Sequence, residues 1–360
     1  MTNKFYKNPY FILTVTYLLA HFFMLILSGC WWDDWTFMTH NVSYIAEVAS
    51  QSGRPEWNIL VPFCWSLTNN GRIFIYFLYL LDALFIYEAL KNSDLFNERD
   101  SLLISLLFVI IPVNDARILI SNFAYGVGLF FFCLGLFLFT KWNKNKNLFF
   151  RIILLIVFYV SFILNSLMAY YYVLFIYLFA LEMKDKDINI RNIFISARDC
   201  IFRYIDFFLL PFIYLTINKT LFPTHGELFG SYNSFDINSI LQALIYIPLS
   251  MANSIITIVL NWIKGINILS VIIIVVGIII LYKYKNNIGQ SHSVRYNFFV
   301  ILFSLFVMFM ALLPYVLVRE NVIELNGVQG RDAILLPLSV ALFFFGLLNF
   351  VPDKFRKYLY

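Results

Sequence analysis

Charged residues are scarce in this sequence. Asp, Glu, Lys and Arg make up 13% of the 360 residues, whereas a soluble domain carries roughly a quarter of its residues as charges. Hydrophobic residues make up 61%, and the mean hydropathy is +0.78. This composition excludes a water-soluble fold and indicates a membrane protein. Cysteine is also rare, with four residues and no CxxC or Cys/His metal spacing, so the cysteines do not indicate a metal centre.

Long apolar runs recur along the whole chain. Many approach the roughly 20 residues that a helix needs to span about 30 Å of hydrocarbon. They predict ten membrane-spanning helices, over residues 11–29, 72–90, 101–113, 118–140, 152–167, 169–182, 203–217, 266–282, 297–316 and 333–350. The first run is not a cleaved signal, because WWDDW follows it in place of small residues. We therefore expect an all-α polytopic protein with a single transmembrane domain over 1–360.

The apolar segment 239–264 does not fit this simple pattern. Four residues interrupt it, namely Pro248, Ser250, Asn253 and Ser254. If the segment crossed the membrane once, the basic stretch 282–295 would move outside. That would weaken the Lys/Arg bias which places both termini in the cytoplasm. We therefore expect a re-entrant segment or a hairpin of two short helices.

This topology gives four outward segments, 30–71, 114–117, 218–238 and 317–332. The first is the largest, and its stretches 42–51 and 57–67 are apolar enough to lie in the membrane interface. Cys30 and Cys64 both fall in this loop, where they either form a disulfide or act as small apolar residues.

An aspartate doublet, Asp33 and Asp34, follows the first run and lies beside Trp32 and Trp35. A carboxylate at the membrane surface is partly desolvated, which makes it a stronger base than one in water. The doublet is therefore a candidate catalytic base, and the tryptophans are candidate substrate contacts. Alternatively, the acids cap the helix end and the tryptophans belong to the aromatic belt of the interface.

Four arginines lie at the outer ends of predicted helices: Arg72, Arg117, Arg319 and Arg331. The planar guanidinium group suits phosphate oxygens, so these residues are candidates for binding a lipid phosphate. Alternatively, each arginine pairs with a nearby acid, such as Asp115, Glu320 or Asp332, or with lipid headgroups.

Three further polar positions have two interpretations each. Asp82 lies in the middle of the second predicted span, where an acid is a functional candidate, although a polar contact between helices also explains it. Tyr171 is in an outer turn and either stacks on a sugar or belongs to the aromatic belt. His225 stands near Glu227, where a metal site is the less favoured alternative.

One feature of the chain resembles a known class of enzymes. A first membrane helix leads directly into an outward loop with the doublet WWDDW at 31–35, and interfacial segments and NNGR at 69–72 follow. This arrangement resembles the GT-C class of polytopic glycosyltransferases. Within that class, the hydropathy profile of the whole chain is similar to that of bacterial glucosyltransferases that modify O-antigen or related surface polysaccharides.

The resemblance implies a GT-C-like fold and a sugar donor carried on a polyprenyl phosphate. It also implies that Asp33 or Asp34 is the base and that the arginines hold the phosphate. Direct displacement with a single base predicts inversion at the anomeric carbon. Because arginines can neutralise the phosphate, we expect no requirement for a metal or cofactor.

The expected partners are the lipid-linked donor, a lipid-linked or surface polysaccharide acceptor and membrane lipids. Nucleic acid is not expected, because the basic residues form short clusters between apolar runs. We expect the chain to be located in the bacterial plasma membrane. Two rival functions stay open: an O-antigen polymerase, which would rely on outer arginines, and a flippase or transporter for lipid-linked oligosaccharides, which would rely on charges such as Asp82.

Overall fold

The computed structural model describes residues 8–26, 34–54, 56–57, 59–60, 63, 70–113, 115–183, 186, 189–226, 237–265, 293–319 and 321–350. Most of these residues are helical, and none of them forms a strand. The helices of the first half are α1 Pro9–His21, α2 Phe23–Ile26, α3 Asp34–Thr39, α4 Val42–Gln51, α5 Asn70–Asn92, α6 Glu98–Ile110, α7 Phe123–Asn145 and α8 Leu148–Ser161. Those of the second half are α9 Ser166–Tyr170, α10 Val173–Met183, α11 Ile190–Arg203, α12 Ile205–Leu221, α13 Ile237–Lys264, α14 Val294–Arg319 and α15 Leu336–Leu348.

Asparagine caps the beginning of several helices. The side chains of Asn8, Asn97, Asn147 and Asn189 each accept a hydrogen bond from a backbone N–H in the first turn of α1, α6, α8 and α11. An N-cap side chain satisfies one of the N–H groups that have no partner within the helix. The polar segments between apolar runs therefore determine where these helices start.

Five helical segments are long and apolar enough to cross a membrane: Gly71–Asn92, Ile120–Asn145, Ser166–Met183, Asn238–Lys264 and Tyr296–Val318. The consecutive helices α11 and α12 meet at a 63° bend and would add a sixth span if they are counted as one. The chain is therefore an all-α protein with the helices of a multi-pass membrane protein. Other predicted spans correspond to shorter apolar helices, among them α1, α8 and α15, and the span predicted at 266–282 lies outside the described residues.

Two glycines of α7 allow it to pack closely against α8 and the turn that follows α8. A Cβ atom at Gly135 would lie 2.5 Å from the Phe158 ring, and one at Gly128 would lie 2.8 Å from Leu164. Small residues permit such close approach between membrane helices. The interior beside this contact is aromatic, with Phe158, Phe162 and Tyr171 fully buried.

The sequence predicts interfacial helices over 42–51 and 57–67. A helix is confirmed over the first of these, since α4 spans Val42–Gln51, and most of the second lies outside the described residues. The prediction of a hairpin or re-entrant segment at 239–264 is wrong. The structure has one continuous helix of 28 residues there, α13, with Pro248 inside it. At 1.5 Å per residue, this helix is about 42 Å long, which is enough to cross a bilayer.

The polar residues of α13 bind a neighbouring segment instead of breaking the helix. Ser250 Oγ accepts a hydrogen bond of 3.0 Å from the backbone N–H of Ile323, and Asn253 Nδ2 donates one of 3.1 Å to the Ile323 carbonyl. Further along, Asn261 Nδ2 donates to the Asn326 side chain over 2.9 Å. A buried backbone outside a helix needs such partners. The polar positions of α13 thus hold the non-helical segment 321–326 against the bundle.

One end of the bundle gathers the beginning of α5, the end of α6 and the short 3-10 helices Asp115–Ile118, Ile120–Asn122 and Gly327–Ala333. We call it the Asp34 end. At the opposite end, Tyr296 at the beginning of α14 donates to the carbonyl of Leu95, which follows α5. Asn297 Nδ2 likewise donates to the Asn349 carbonyl, after α15.

We expect Ser250→Ala and Asn253→Ala each to destabilise the protein by about 1–3 kcal/mol, because each leaves a buried backbone group of Ile323 without its partner. Thermal unfolding of the purified chain in detergent measures this as a lower melting temperature. Asn261→Ala is the matched control, since its hydrogen bond is exposed. Equal melting temperatures for all three variants would contradict the role assigned to Ser250 and Asn253.

Candidate functional site

Asp34 and Arg72 form a buried ion pair at the Asp34 end. Arg72 Nη2 lies 3.3 Å from Asp34 Oδ2, and the two side chains are 3% and 0% exposed. Asp34 is the first residue of α3, and Arg72 lies in the first turn of α5. The pair therefore ties the first outer loop to the beginning of the second predicted span.

Backbone groups complete the environment of this pair. Asp34 Oδ1 accepts a hydrogen bond of 2.9 Å from the N–H of Ser121, and Arg72 Nε donates one of 3.0 Å to the carbonyl of Ile118. The Asn122 side chain holds the same turn by donating to the Ala116 carbonyl over 2.9 Å. A buried charge is tolerated only with such partners. Both carboxylate oxygens of Asp34 are therefore engaged.

Arg117 contacts His21, a residue that was not among the predicted site residues. Arg117 Nη1 lies 3.3 Å from His21 Nε2, and Nη2 donates to the Val113 carbonyl. His21 Nε2 in turn lies 2.9 Å from the Val109 carbonyl oxygen. The guanidinium group of Arg117 also lies over the Tyr79 ring, 5.9 Å from its centroid. The sequence feature that could have identified His21 is its position as a histidine within the first apolar run.

Arg117 and His21 line a small cavity of about 20 Å³, which has room for about one water molecule. Tyr17 and Tyr79 contribute to the same wall, and the remaining walls are apolar. The cavity lining is formed by Tyr17, His21, Tyr79, Phe108, Val109, Arg117, Leu129, Ile334 and Pro337. The cavity is therefore too small to hold a sugar or a lipid headgroup.

Arg331 lies in the 3-10 helix Gly327–Ala333, which packs against the helix Asp115–Ile118 that carries Arg117. Its Nε atom lies 3.8 Å from Asp332 Oδ1. The alternative of pairing with a nearby acid is therefore observed for Arg331. Arg319 ends α14, and its side chain lies outside the described part of the chain. Three of the four predicted arginines, Arg72, Arg117 and Arg331, thus meet at the Asp34 end.

The remaining predicted site residues lie in different surroundings. Asp33 and Trp32 are outside the described residues. Trp35 is 59% exposed, as expected for a residue at the membrane surface or in contact with a ligand. Tyr171 is fully buried, with its ring 4.9 Å from Phe158 and 5.4 Å from Phe162. The structure places Tyr171 in the aromatic interior and does not bring it to the Asp34–Arg72 pair.

Glu56 is a second acid of the first outer loop, and sequence reasoning missed it. Its Oε1 accepts a hydrogen bond of 3.2 Å from the hydroxyl of Tyr214. The side chain is half-buried, and this burial raises the pKa of the Glu56 carboxyl, while Arg54 and Tyr214 act in the opposite direction. A carboxyl with a raised pKa beside an outer loop is a functional candidate. The sequence feature that could have identified Glu56 is its position as an isolated acid next to the apolar stretch at 57–67.

The part of the chain that the structure describes contains no group of three or more His, Cys, Asp or Glu side chains able to hold a metal. His225 donates its backbone N–H to the Gln51 carbonyl over 3.1 Å, while its neighbour Glu227 lies outside the described residues.

Comparison of the chain with protein-family models, with curated proteins and with solved structures finds no match. The chemistry of the Asp34 end therefore has to be inferred from its own residues.

We expect Asp34→Asn to destabilise the protein by about 3–5 kcal/mol, because it leaves the buried Arg72 without a counter-ion. Replacing both partners, in Asp34→Asn/Arg72→Gln, should recover much of this loss. Melting temperatures in detergent measure both effects. A double variant no more stable than Asp34→Asn alone would contradict the charge-pairing account.

We expect Glu56→Gln to raise the melting temperature at neutral pH. Burial raises the pKa of the Glu56 carboxyl, so the folded state binds the proton more tightly than the unfolded state and is destabilised when Glu56 ionises. The difference between Glu56→Gln and the wild type should shrink as the pH falls below the folded-state pKa of Glu56. The exposed residue of the same loop, Glu47, supplies the control Glu47→Gln. A stabilisation independent of pH would rule out this explanation.

Proposed function

We propose that this chain is a membrane glycosyltransferase that takes a sugar from a polyprenyl-phosphate donor and passes it to a surface glycan. The observation that carries the proposal is the convergence of Asp34, Arg72, Arg117 and Arg331 at one end of a membrane helical bundle. These residues come from four segments far apart in the sequence. An acid and several cations at one membrane level are the groups that this reaction needs.

The proposed reaction is a direct displacement. An acceptor hydroxyl attacks the anomeric carbon, the carbon–oxygen bond to the phosphate breaks, and the lipid phosphate leaves with the electron pair. A carboxylate of the doublet, Asp33 or Asp34, takes the hydroxyl proton as the new bond forms. Attack from the face opposite the phosphate inverts the configuration at the anomeric carbon.

Arginines suit the leaving group of this reaction. The departing lipid phosphate is anionic, and guanidinium groups match its oxygens. Arg117 is proposed for this role, since it lies at the Asp34 end beside His21 and over the Tyr79 ring. Because Arg72 is paired with Asp34, its contribution is to hold the acid and the turn at 118–121 in place. Trp32 and Trp35 are proposed as contacts for the sugar at the membrane surface.

We propose further that the Asp34 end faces the extracytoplasmic side of a bacterial plasma membrane, with the N-terminus in the cytoplasm. The distribution of Lys and Arg before α13 favours this orientation. The ten crossings and the cytoplasmic C-terminus expected from the sequence assumed a hairpin at 239–264, so they do not carry over to a chain in which α13 is one continuous helix.

A transporter of lipid-linked sugars is the second candidate, and Asp82 is the observation that favours it. Asp82 is fully buried in α5, and its carboxyl faces the thiol of Cys133 with no hydrogen bond of normal geometry among the described residues. Burying an acid in this position costs free energy, and such acids often have a function. If the chain is a transporter, Asp82→Asn should abolish transport.

The test compares surface polysaccharide from cells that carry the wild type, Asp33→Asn, Asp34→Asn/Arg72→Gln or Arg117→Gln, at matched membrane levels. We expect at least one variant of the doublet to lose a side-branch sugar completely, seen as a missing mass in the glycan. The matched control is Asp206→Asn/Arg151→Gln, which removes an ion pair at the opposite end, where Arg151 Nε lies 2.7 Å from Asp206 Oδ2.

Two other outcomes would redirect the proposal. Unchanged branches with shortened chains would indicate a polymerase. An unchanged glycan in every doublet variant, together with a lost product in Asp82→Asn, would contradict the transferase and favour transport.

A further inference from the structure

The segment that carries Arg54, Glu56 and Trp57 in the first outer loop contacts the bundle through these three side chains. The segment follows Gly53, whose φ of +72° and closeness to the Phe222 carbonyl leave no room for a side chain, since a Cβ there would lie 2.6 Å from that oxygen. The Gln51 carbonyl next to it accepts the N–H of His225. The loop therefore presents its side chains from a fixed position.

Glu56 and Trp57 lie next to each other on this segment and offer complementary polar groups. Glu56 Oε1 accepts a hydrogen bond from Tyr214, and the side chain is half-buried. The indole N–H of Trp57 is buried and has no acceptor among the described residues. A buried donor without an acceptor indicates a water or ligand oxygen at that position.

Arg54 completes the cluster. Its guanidinium group lies over the Trp57 ring, 5.2 Å from the centroid. With the Asn165 side chain turned so that both its amide oxygen and its amide nitrogen have partners, Arg54 Nη2 donates a hydrogen bond of 3.1 Å to the amide oxygen. Since Arg54 and Glu56 carry opposite charges, the cluster has little net charge. A neutral ligand with hydroxyl groups suits it better than an anion.

The cluster is continuous with the Asp34 end. The Trp57 ring contacts Tyr125, in the first turn of α7, with centroids 6.1 Å apart. Tyr125 lies near Tyr315, which also lies near Arg331 and Asp332. A ligand on Glu56 and Trp57 would therefore lie towards the helix Gly327–Ala333, which packs against the helix that carries Arg117.

We propose that Arg54, Glu56 and Trp57 form a binding subsite for the neutral acceptor sugar. This assignment rests on the proposed transferase function. The Glu56 carboxylate accepts hydrogen bonds from sugar hydroxyls, and the indole of Trp57 donates one and packs against the sugar ring. The donor does not bind here, because its phosphate would be repelled by the Glu56 carboxylate.

Saturation-transfer NMR tests this subsite directly, with the full chain in lipid nanodiscs and a neutral probe, methyl α-D-glucopyranoside or the corresponding galactoside. We expect saturation transfer to at least one neutral glycoside. Binding should be about tenfold weaker in Glu56→Gln and in Trp57→Ala. Glu56→Gln replaces a carboxylate oxygen acceptor by an amide donor and removes the negative charge, and Trp57→Ala removes the indole donor and its ring. The exposed control Glu47→Gln should bind like the wild type. Melting temperatures check that each variant is folded.

The subsite is overturned if the wild type shows no saturation transfer to any neutral glycoside, or if folded Glu56→Gln and Trp57→Ala bind as well as the wild type. Methyl glucuronide serves as the anionic contrast and should bind more weakly than the neutral probes. The variant Asp33→Asn/Asp34→Asn/Arg72→Gln separates the two proposals, because it removes both candidate bases. If it retains glycoside binding while the surface glycan is unchanged, the subsite stands and the transferase function fails.

Discussion

The organisation of the Asp34 end depends on the buried ion pair between Asp34 and Arg72. Two charges removed from water are tolerated only when they satisfy each other and their remaining hydrogen bonds, and here the N–H of Ser121 and the carbonyl of Ile118 complete the set. The pair therefore fixes three parts of the chain relative to one another: the first outer loop, the beginning of α5 and the turn after α6. Arg117 and the helix Gly327–Ala333 pack around that fixed turn.

This arrangement separates two kinds of surroundings for ligands. Arg117 lies at the Asp34 end beside His21 and the Tyr79 ring, where its positive charge favours an anionic headgroup. Arg54, Glu56 and Trp57 lie on the outer loop and have little net charge, which favours a neutral hydroxylated molecule. A lipid-phosphate sugar and a glycan acceptor differ in these same properties. The proposed function assigns each substrate to the surroundings that match its charge and polarity.

Composition and apolar runs were enough to predict an all-α membrane protein, because the hydrophobic effect and span length leave few alternatives. They failed at 239–264, where Ser250 and Asn253 indicated a break, yet these side chains satisfy the backbone of Ile323, 70 residues further along from Asn253. The Asp34–Arg72 pair was not predicted as a pair, since 38 residues separate its members and their spacing carries no signal. Glu56 was missed for a similar reason, because its partner Tyr214 lies 158 residues away.

Mass spectrometry of the lipid-linked sugar pool shows whether the chain consumes a polyprenyl-phosphate sugar. The comparison is between cells with the wild-type chain and cells with Asp33→Asn/Asp34→Asn/Arg72→Gln, which removes both candidate bases. A chain that consumes such a donor should let it accumulate when the Asp34 end is inactivated. We expect a lipid with the mass of a polyprenyl monophosphate plus one sugar, abundant in the variant and depleted by the wild type. An unchanged monophosphate pool, or accumulation of a diphosphate-linked oligosaccharide in its place, would contradict the proposed function.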